Sequence, residues 1–221
     1  NPTFATVQPE QQLMRNAVRL VLELVGECPV SPQTRWLDVG CGRGGTVLTL
    51  RRYFDLGRVD AVDLAPNAVA FCQRHGLDNT FFQQGDAENL PFDEGLFDVV
   101  SNCESSHCYP DIERFYAQVA RVLKPGGHFV YTDLIPTEAL QVRLEMLAAV
   151  GLRLEHRRDI SSNVLLSCDE TAARNARAFA DSNDQKLMED FLGVPESGLY
   201  EAMKQGTQRY MLYRFSLEGG P

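Results

Sequence analysis

A glycine-rich stretch between a strand-like and a helix-like segment constrains the fold of this chain more than any other feature. It reads WLDVGCGRGGTVLTL, and it begins with an apolar run that is typical of a buried strand. Glycines at this place let backbone N–H groups and the start of a helix approach a ligand closely, because glycine has no Cβ. Two patterns fit. The dinucleotide pattern G-x-G-x-x-G uses Gly40, Gly42 and Gly45, and the pattern D-x-G-x-G-x-G uses Asp38, Gly40, Gly42 and Gly44.

Short apolar runs alternate with helix-like segments along most of the chain. This alternation is the pattern of strand–helix–strand units, which build a parallel sheet with helices on both faces. We therefore predict an α/β protein with a Rossmann-like, mostly parallel sheet. Residues 1–221 are expected to form one domain. Its predicted parts are an N-terminal helix or cap, a cofactor-binding core, a helical lid and a final strand, at residues 1–30, 31–160, 161–206 and 207–217 respectively.

Charge and cysteine usage argue against several functional classes. Thirty acidic residues against 21 basic ones give a net charge of −9, which disfavours nucleic-acid binding because that affinity rests on Lys and Arg. The six cysteines include no C-x-x-C pair, and no acidic or histidine cluster has ligand spacing, so we expect no metal. No apolar stretch reaches the about 20 residues that cross a bilayer. We therefore expect a cytoplasmic protein that acts on a small molecule, with self-association into a homo-oligomer left open.

Two further acidic residues follow the next two predicted strands. Asp63 ends the second strand, where a carboxylate can accept hydrogen bonds from both ribose hydroxyls in any Rossmann-like nucleoside site. Asp86 follows the third strand in GDAENLPF, where it can accept the exocyclic amine of adenine while the backbone around Ala87 meets the ring edge. A nicotinamide enzyme has no particular need of an acid there, so Asp86 favours the second glycine pattern.

Four successive motifs, LDVGCGRGG, VDLAPNAVAF, GDAENLPFDEGLFDVV and ARVLKPGGHFVYTD, resemble those of class I S-adenosylmethionine-dependent methyltransferases in order and spacing. The resemblance covers residues 36–134 and implies a seven-stranded, mostly parallel sheet with a final antiparallel strand. It also implies S-adenosyl-L-methionine (SAM) as cofactor and S-adenosyl-L-homocysteine as product. The residues that it places around the methionine part, the ribose and the adenine are Asp38, Gly40, Cys41, Gly42, Gly44, Asp63, Leu64, Asp86, Ala87, Asn102 and Cys103.

The segment after the fourth strand, SNCESSHCYPD, lies where this family places its acceptor chemistry. His107 is the side chain there that is best suited to take a proton near neutral pH. Asp133 ends the fifth strand, and it can hold His107 in one tautomer because the carboxyl ends of adjacent parallel strands line one crevice. Glu104 is a candidate to contact the cofactor, cap a turn or serve as the base instead. Tyr109 is a candidate for contact with an acceptor ring.

The segments ESSHCYPD and YTD, and the C-terminal tail, resemble bacterial natural-product O-methyltransferases that act on sugar, polyketide or lipid hydroxyls. That resemblance implies His107 as the base and Asp133 as its partner, in natural-product or antibiotic biosynthesis. Three alternatives stay open: C- or N-methylation of a small metabolite, a SAM-binding module without turnover, and a nicotinamide oxidoreductase. The tail also carries apolar residues at helical spacing, which are candidates for a lid over the acceptor or for ordinary core. These residues are Phe179, Leu187, Met188, Phe191 and Leu192.

Overall fold

The structure, a computed structural model, describes residues 14–26, 28–179 and 193–219. Across these residues a single sheet has the strand order β3-β2-β1-β4-β5-β7-β6. Strand β7 is antiparallel to both of its neighbours, and the other paired strands are parallel. The predicted seven-stranded, mostly parallel sheet with an antiparallel final strand is thereby confirmed. The strands are β1 (Arg35–Val39), β2 (Arg58–Asp63), β3 (Thr80–Gln84), β4 (Phe97–Cys103), β5 (Leu123–Pro136), β6 (Leu152–Asp159) and β7 (Gln208–Leu217).

Seven α-helices accompany the sheet in the part of the chain that the structure describes. Local signals set their ends: the side chain of Asp111 caps the fourth helix by accepting from the backbone N–H of Arg114 at 2.9 Å. The last helix ends at Gly206, whose φ of +77° is the left-handed conformation that glycine adopts easily. The helices are α1 (Arg15–Val25), α2 (Gly45–Tyr53), α3 (Pro66–Gln73), α4 (Ile112–Val122), α5 (Leu140–Ala149), α6 (Ser161–Phe179) and α7 (Gly198–Gln205).

Alternate side chains of the strands supply two hydrophobic cores, one on each face of the sheet. In β1, Trp36 lies in the core that contains residues of α1, α2 and α3, whereas Leu37 lies in the core that contains residues of α4 and α5. Because helices cover both faces, the carboxyl ends of the strands are the natural place for a ligand. The apolar stripe of α4 that faces the sheet is fully buried and consists of Phe115, Tyr116, Val119 and Val122.

The sequence predicts a turn at KPGG and a strand HFVYTDL that begins at His128, whereas strand β5 begins earlier, at Leu123. Leu123 and His128 pair with residues of β4 that are only two positions apart, so residues 124–127 form a bulge in the strand. Gly126 allows this bulge, because its φ of +78° is open to glycine and disfavoured for other residues. The turn predicted at KPGG is therefore a bulge that β5 continues through.

The predicted N-terminal helix and the predicted lid are described only in part. The sequence predicts that the N-terminal part contains a helix at about residues 9–27, and α1 is the described portion of it, since residues 1–13 and 27 lie outside the described residues. Helices α6 and α7 belong to the predicted lid, but the lid candidates in residues 180–192 also lie outside the described residues. No helix within the described ranges is long and apolar enough to cross a membrane.

Candidate active site

The predicted site residues come from four neighbouring strands and lie toward their carboxyl ends. Asp38 lies in β1, Asp63 ends β2, Asn102 lies in β4 and Asp133 lies in β5. The strand order reverses between β1 and β4, so the connections after these two strands leave in opposite directions. Such a switch point opens the crevice in which α/β proteins of this kind bind ligands.

The glycine-rich loop after β1 folds back onto the end of β2. The backbone N–H groups of Gly40 and Cys41 both donate to the carbonyl of Val62, at 2.9 and 3.0 Å. Gly40 has a φ of +71°, and a Cβ there would lie 2.2 Å from Ser105 Oγ, so only glycine allows this close approach. Gly42 has a φ of +51°, but a Cβ there would meet no atom within 4 Å. The loop therefore packs tightly at Gly40 and leaves open space at Gly42.

Asp38 is buried at the start of this loop and has one free carboxylate oxygen. The indole of Trp36 donates to Ser101 Oγ at 2.8 Å, and Ser101 Oγ donates to Asp38 Oδ1 at 2.6 Å. Asp38 Oδ2 is buried and has no hydrogen-bond partner among the described residues. Burial raises the pKa of Asp38 to about 7, although the hydrogen bond from Ser101 acts to lower it. A buried carboxylate with a free oxygen fits a cationic ligand group, such as the ammonium of a methionine moiety.

Asp63 joins the glycine loop to the expected ribose position. Its Oδ2 accepts from the backbone N–H of Gly42 at 2.7 Å, and its Oδ1 accepts from that of Ala65 at 2.9 Å. Each oxygen keeps acceptor capacity, so this held carboxylate can also accept from ribose hydroxyls. The neighbouring Leu64 is 68% exposed, and an exposed large apolar side chain beside the crevice suits an aromatic ring such as adenine.

Asp86 forms a tight turn after β3. Its Oδ1 accepts from the backbone N–H of Glu88 at 2.9 Å, and the residue also pairs with Asn89 across the turn. The Asp86 side chain is exposed, while Ala87 beside it is buried. The turn bond engages one carboxylate oxygen and leaves acceptor capacity for an amine, so the contact with adenine stays a prediction.

Asn102 and Tyr109 connect the segment after β4 to the glycine loop. Asn102 Nδ2 donates to the carbonyl of Val39 at 3.0 Å and to Ser105 Oγ at 2.8 Å, and it lies 3.0 Å from the hydroxyl of Tyr109. The Tyr109 hydroxyl is also 2.9 Å from Ser105 Oγ. The hydroxyl of Tyr109 is thus engaged inside the protein, which leaves its ring for an acceptor, and that contact stays a prediction.

The cysteines of the predicted cofactor site are neutral thiols. Burial raises the pKa of both Cys41 and Cys103, so neither thiol is poised as a nucleophile. Cys41 is buried beside the loop, where Cys72 Sγ donates to the carbonyl of Gly42 at 3.3 Å. Among the described residues, no group of three or more histidines, cysteines and carboxylates is placed to hold a metal ion.

His107 and Asp133 form the pair that the sequence predicted. His107 lies in the short 3₁₀ turn Ser106–Cys108 after β4, and its Nδ1 is 2.7 Å from Asp133 Oδ1. The backbone N–H of His107 donates to Asp133 Oδ2 at 3.0 Å. The carboxylate is fully buried, whereas 42% of the His107 side chain stays exposed. The hydrogen bond to Asp133 raises the pKa of His107 despite partial burial, and Nε2 is the nitrogen left free to accept a proton.

Glu104 lies next to this pair in an unusual backbone conformation. Its φ of +54° is uncommon for a residue other than glycine. Water reaches the Glu104 residue although many protein atoms surround its carboxyl group. This desolvation raises the pKa of Glu104, and the nearby hydroxyl of Tyr210 acts to lower it. The Tyr210 hydroxyl is buried, and no atom of the described residues lies within hydrogen-bond geometry of it.

Several side chains of the site were not predicted from the sequence. Ser101 was detectable in principle, because it is a polar residue inside the buried strand FDVVSN. The other missed residues reach the site from different elements, and no local pattern marks them. They are Ser106, Tyr131, Arg143 and Tyr210.

Comparisons with known proteins identify the family to which the chain belongs. Residues 37–131 match the model of a family described as "Methyltransferase domain". The phthiotriol/phenolphthiotriol dimycocerosates methyltransferase of Mycobacterium leprae is 39% identical over 191 residues, which are 82% of this chain and 69% of that protein. The fatty-acid O-methyltransferase of Mycolicibacterium smegmatis is 32% identical over 217 residues, which are 97% of this chain and 78% of that protein.

A solved structure has the same fold. The geranyl diphosphate C-methyltransferase of Streptomyces coelicolor, in complex with Mg²⁺, geranyl diphosphate and S-adenosyl-L-homocysteine, superposes with a TM-score of 0.73. The match has 20% identity and covers 94% of this chain and 81% of that one, and at this identity it concerns the fold alone. Together with the glycine loop, the free oxygen of Asp38 and the two relatives, it leads to one conclusion. The chain belongs to the class I SAM-dependent methyltransferases, and its cofactor is S-adenosyl-L-methionine.

Proposed function

We propose that this enzyme methylates a hydroxyl of a small lipid, polyketide or glycosylated natural product, with His107 as the general base. The observation that carries the proposal is the pairing of His107 with the buried Asp133 at the carboxyl edge of the sheet. This pairing leaves Nε2 available for a proton and keeps the imidazole partly exposed. A hydroxyl acceptor needs such a base because its proton must leave as the new bond to carbon forms.

The residues of the chain divide the work between holding the cofactor and handling the proton. SAM, when bound, supplies a methyl group on a positively charged sulfur. Asp38 and the glycine loop hold the methionine part, and Asp63 holds the ribose. His107 takes the acceptor proton at Nε2, and Asp133 keeps the Nδ1 proton in place and stabilises the charge that develops on the ring.

The names of the relatives support the acceptor class. One relative is called a fatty-acid O-methyltransferase and the other a phthiotriol/phenolphthiotriol dimycocerosates methyltransferase. Both names describe lipid substrates, and the first specifies transfer to oxygen. These similarities span most of the chain, and they favour a lipid-like acceptor over a sugar alone.

Glu104 is the rival base. Burial among protein atoms raises the pKa of Glu104, and a carboxyl group with a raised pKa is a better proton acceptor than an ordinary one. His107 is favoured over Glu104 because a buried carboxylate fixes its orientation at 2.7 Å. The Glu104→Gln variant separates the two, since it should keep most of the turnover if His107 is the base.

The decisive experiment compares His107→Ala with a matched control, His156→Ala, whose side chain is exposed on β6. Release of S-adenosylhomocysteine is measured with long-chain alcohols and hydroxylated polyketides as acceptors, since each of these must lose a hydroxyl proton. We expect His107→Ala to lower turnover at least tenfold, since a general base usually contributes about a hundred- to ten-thousandfold. Its affinity for S-adenosylhomocysteine should stay within about twofold, and His156→Ala should behave like the wild type.

Two results contradict the proposal. Unchanged turnover in His107→Ala removes His107 from the mechanism. Carbon-13 NMR of the product made with labelled methyl shows the atom that was methylated, and a methyl on carbon or nitrogen refutes the O-methyltransferase assignment. Binding of SAM without release of S-adenosylhomocysteine for any acceptor tested would instead favour a binding module without turnover.

A further inference from the structure

A continuous line of hydrogen bonds runs from Asp133 to a cation on helix α5, the guanidinium of Arg143. Ser106 Oγ donates to Asp133 Oδ2 at 2.5 Å, and the same oxygen is 2.7 Å from the hydroxyl of Tyr131. Arg143 Nη1, on α5, donates to the Tyr131 hydroxyl at 2.9 Å. Ser106, Tyr131 and Asp133 are at most 1% exposed, so water screens this line poorly.

The number of protons available determines the donor and the acceptor of each hydrogen bond in the line. The two oxygens of Asp133 are both acceptors, since they accept from His107 Nδ1, from two backbone N–H groups and from Ser106. Ser106 has one hydroxyl proton, which it donates to the carboxylate in a hydrogen bond. In the hydrogen bond between Ser106 and Tyr131, the Tyr131 hydroxyl must therefore be the donor. The oxygen of Tyr131 is then left as an acceptor for Arg143. Every proton of the line therefore points toward Asp133.

We propose that Arg143 is a positioning residue, which acts through Tyr131 and Ser106 to fix the carboxylate of Asp133 and thereby holds His107 with Nε2 free for the acceptor. The consequence for turnover rests on the proposed function of His107. The line itself rests on the distances alone. Arg143 lies on α5 and not on the strands that carry the site, so the proposal gives this helix a part in the reaction.

The charged groups that face His107 determine the sign of the expected effect. They are Asp133 and Glu104, which favour the imidazolium, and Arg143, which disfavours it. Removing the charge of Arg143 ends its repulsion of the imidazolium and leaves the negative charge of Asp133 less compensated. Both changes raise the pKa of His107.

The test measures the ring titration of His107 by NMR in cofactor-free protein that carries labelled histidine. The chain has four histidines, and His107→Gln identifies the signal. We expect Arg143→Met to raise the pKa of His107 and Arg143→Lys, which keeps the charge, to restore it toward the wild-type value. Arg153→Met is the matched control, because Arg153 is exposed and paired with Glu155. In Ser106→Ala protein the effect of Arg143→Met should become smaller, since the line is cut.

Steady-state kinetics supply the second readout. Arg143→Met and Ser106→Ala should lower kcat roughly two- to thirtyfold with little change in KM for SAM. If Arg143→Met fails to fold, Tyr131→Phe decides, because it keeps the packed ring and removes both hydrogen bonds. An unchanged titration of His107 in Arg143→Met or Tyr131→Phe overturns the proposal, and so does a shift of equal size with and without Ser106. If His107→Ala keeps full turnover, only the assignment of His107 as the base is refuted. The titrations then still test whether Arg143 acts on His107 through Tyr131 and Ser106.

Discussion

Replacing Asp38 by Asn tests whether this carboxylate is held in the protein for the sake of a cationic ligand. The substitution keeps the shape of the side chain, and the amide oxygen can still accept from Ser101. In the ligand-free protein the pKa of Asp38 is about 7, against an ordinary value of 3.8. A raised folded-state pKa means that stability is lost as the pH rises from 3.8 through 7 and stays lost above that. The difference corresponds to about 4 kcal/mol of unfolding free energy at pH 8.

The variant should therefore be more stable than the wild type at alkaline pH. The new amide N–H group costs about 1–3 kcal/mol if it finds no acceptor, so we expect a net gain of roughly 1–3 kcal/mol at pH 8. The gain should shrink at pH 5, where Asp38 is largely protonated in the folded wild type. Urea unfolding followed by the fluorescence of Trp36, the one tryptophan of the chain, measures both values.

The same variant should lose affinity for the cofactor product. Removing one partner of a buried charge pair costs about 2–5 kcal/mol, which corresponds to roughly thirty- to several-thousandfold weaker binding of S-adenosylhomocysteine by calorimetry at pH 8. Asp93→Asn is the control, since Asp93 is an exposed acid in a turn and should change neither quantity. The reasoning is refuted if the Asp38→Asn variant binds S-adenosylhomocysteine as tightly as the wild type does and if the stability gain of the variant over the wild type is the same at pH 5 and at pH 8.

Further outcomes follow from the same geometry. Asp133→Asn removes the negative charge that faces Nδ1 of His107 and turns one acceptor oxygen into a donor, so kcat should fall at least about a hundredfold while S-adenosylhomocysteine still binds in calorimetry. Because Asp133 raises the pKa of His107 above 6.5, kcat/KM should decline on acidification with a midpoint above pH 6.5, and a midpoint below that value would contradict the pairing. Gly40→Ala should lower the melting temperature strongly, whereas Gly42→Ala should stay folded but bind S-adenosylhomocysteine weakly; equal melting temperatures for the two variants would contradict the distinct roles of the two glycines.

The central strands were predictable because they are short apolar runs bounded by turn residues, whereas β6, LRLEHRRD, is mostly charged and exposed. The antiparallel β7 followed only from the resemblance, and the strand order was not predicted, since no local pattern encodes either. The early start of β5 was missed because KPGG has the composition of a turn, and pairing with β4 continues on both sides of the bulge. Pairing across strands is a tertiary effect that local composition does not report.

The candidate site was predictable where chemistry and sequence position coincide. Asp38, Asp63 and His107 lie at or just beyond strand ends, and a motif or a side-chain property marks each of them. Arg143 could not be found in this way, because its contact with Tyr131 depends on how α5 packs against β5. The contact of the Tyr109 hydroxyl with Asn102 was not predicted for a similar reason. The hydroxyl packs against the glycine loop, which follows a different strand.

The close approach between Gly40 and the hydroxyls of Ser105 and Tyr109 has a consequence for redesigning this enzyme. A turn transplanted from another methyltransferase must bring side chains at positions 105 and 109 that tolerate the glycine behind them. In libraries that randomise these two positions freely, many variants should carry side chains that clash with the glycine loop at Gly40. Efforts to change the acceptor specificity should therefore start at positions other than 105 and 109.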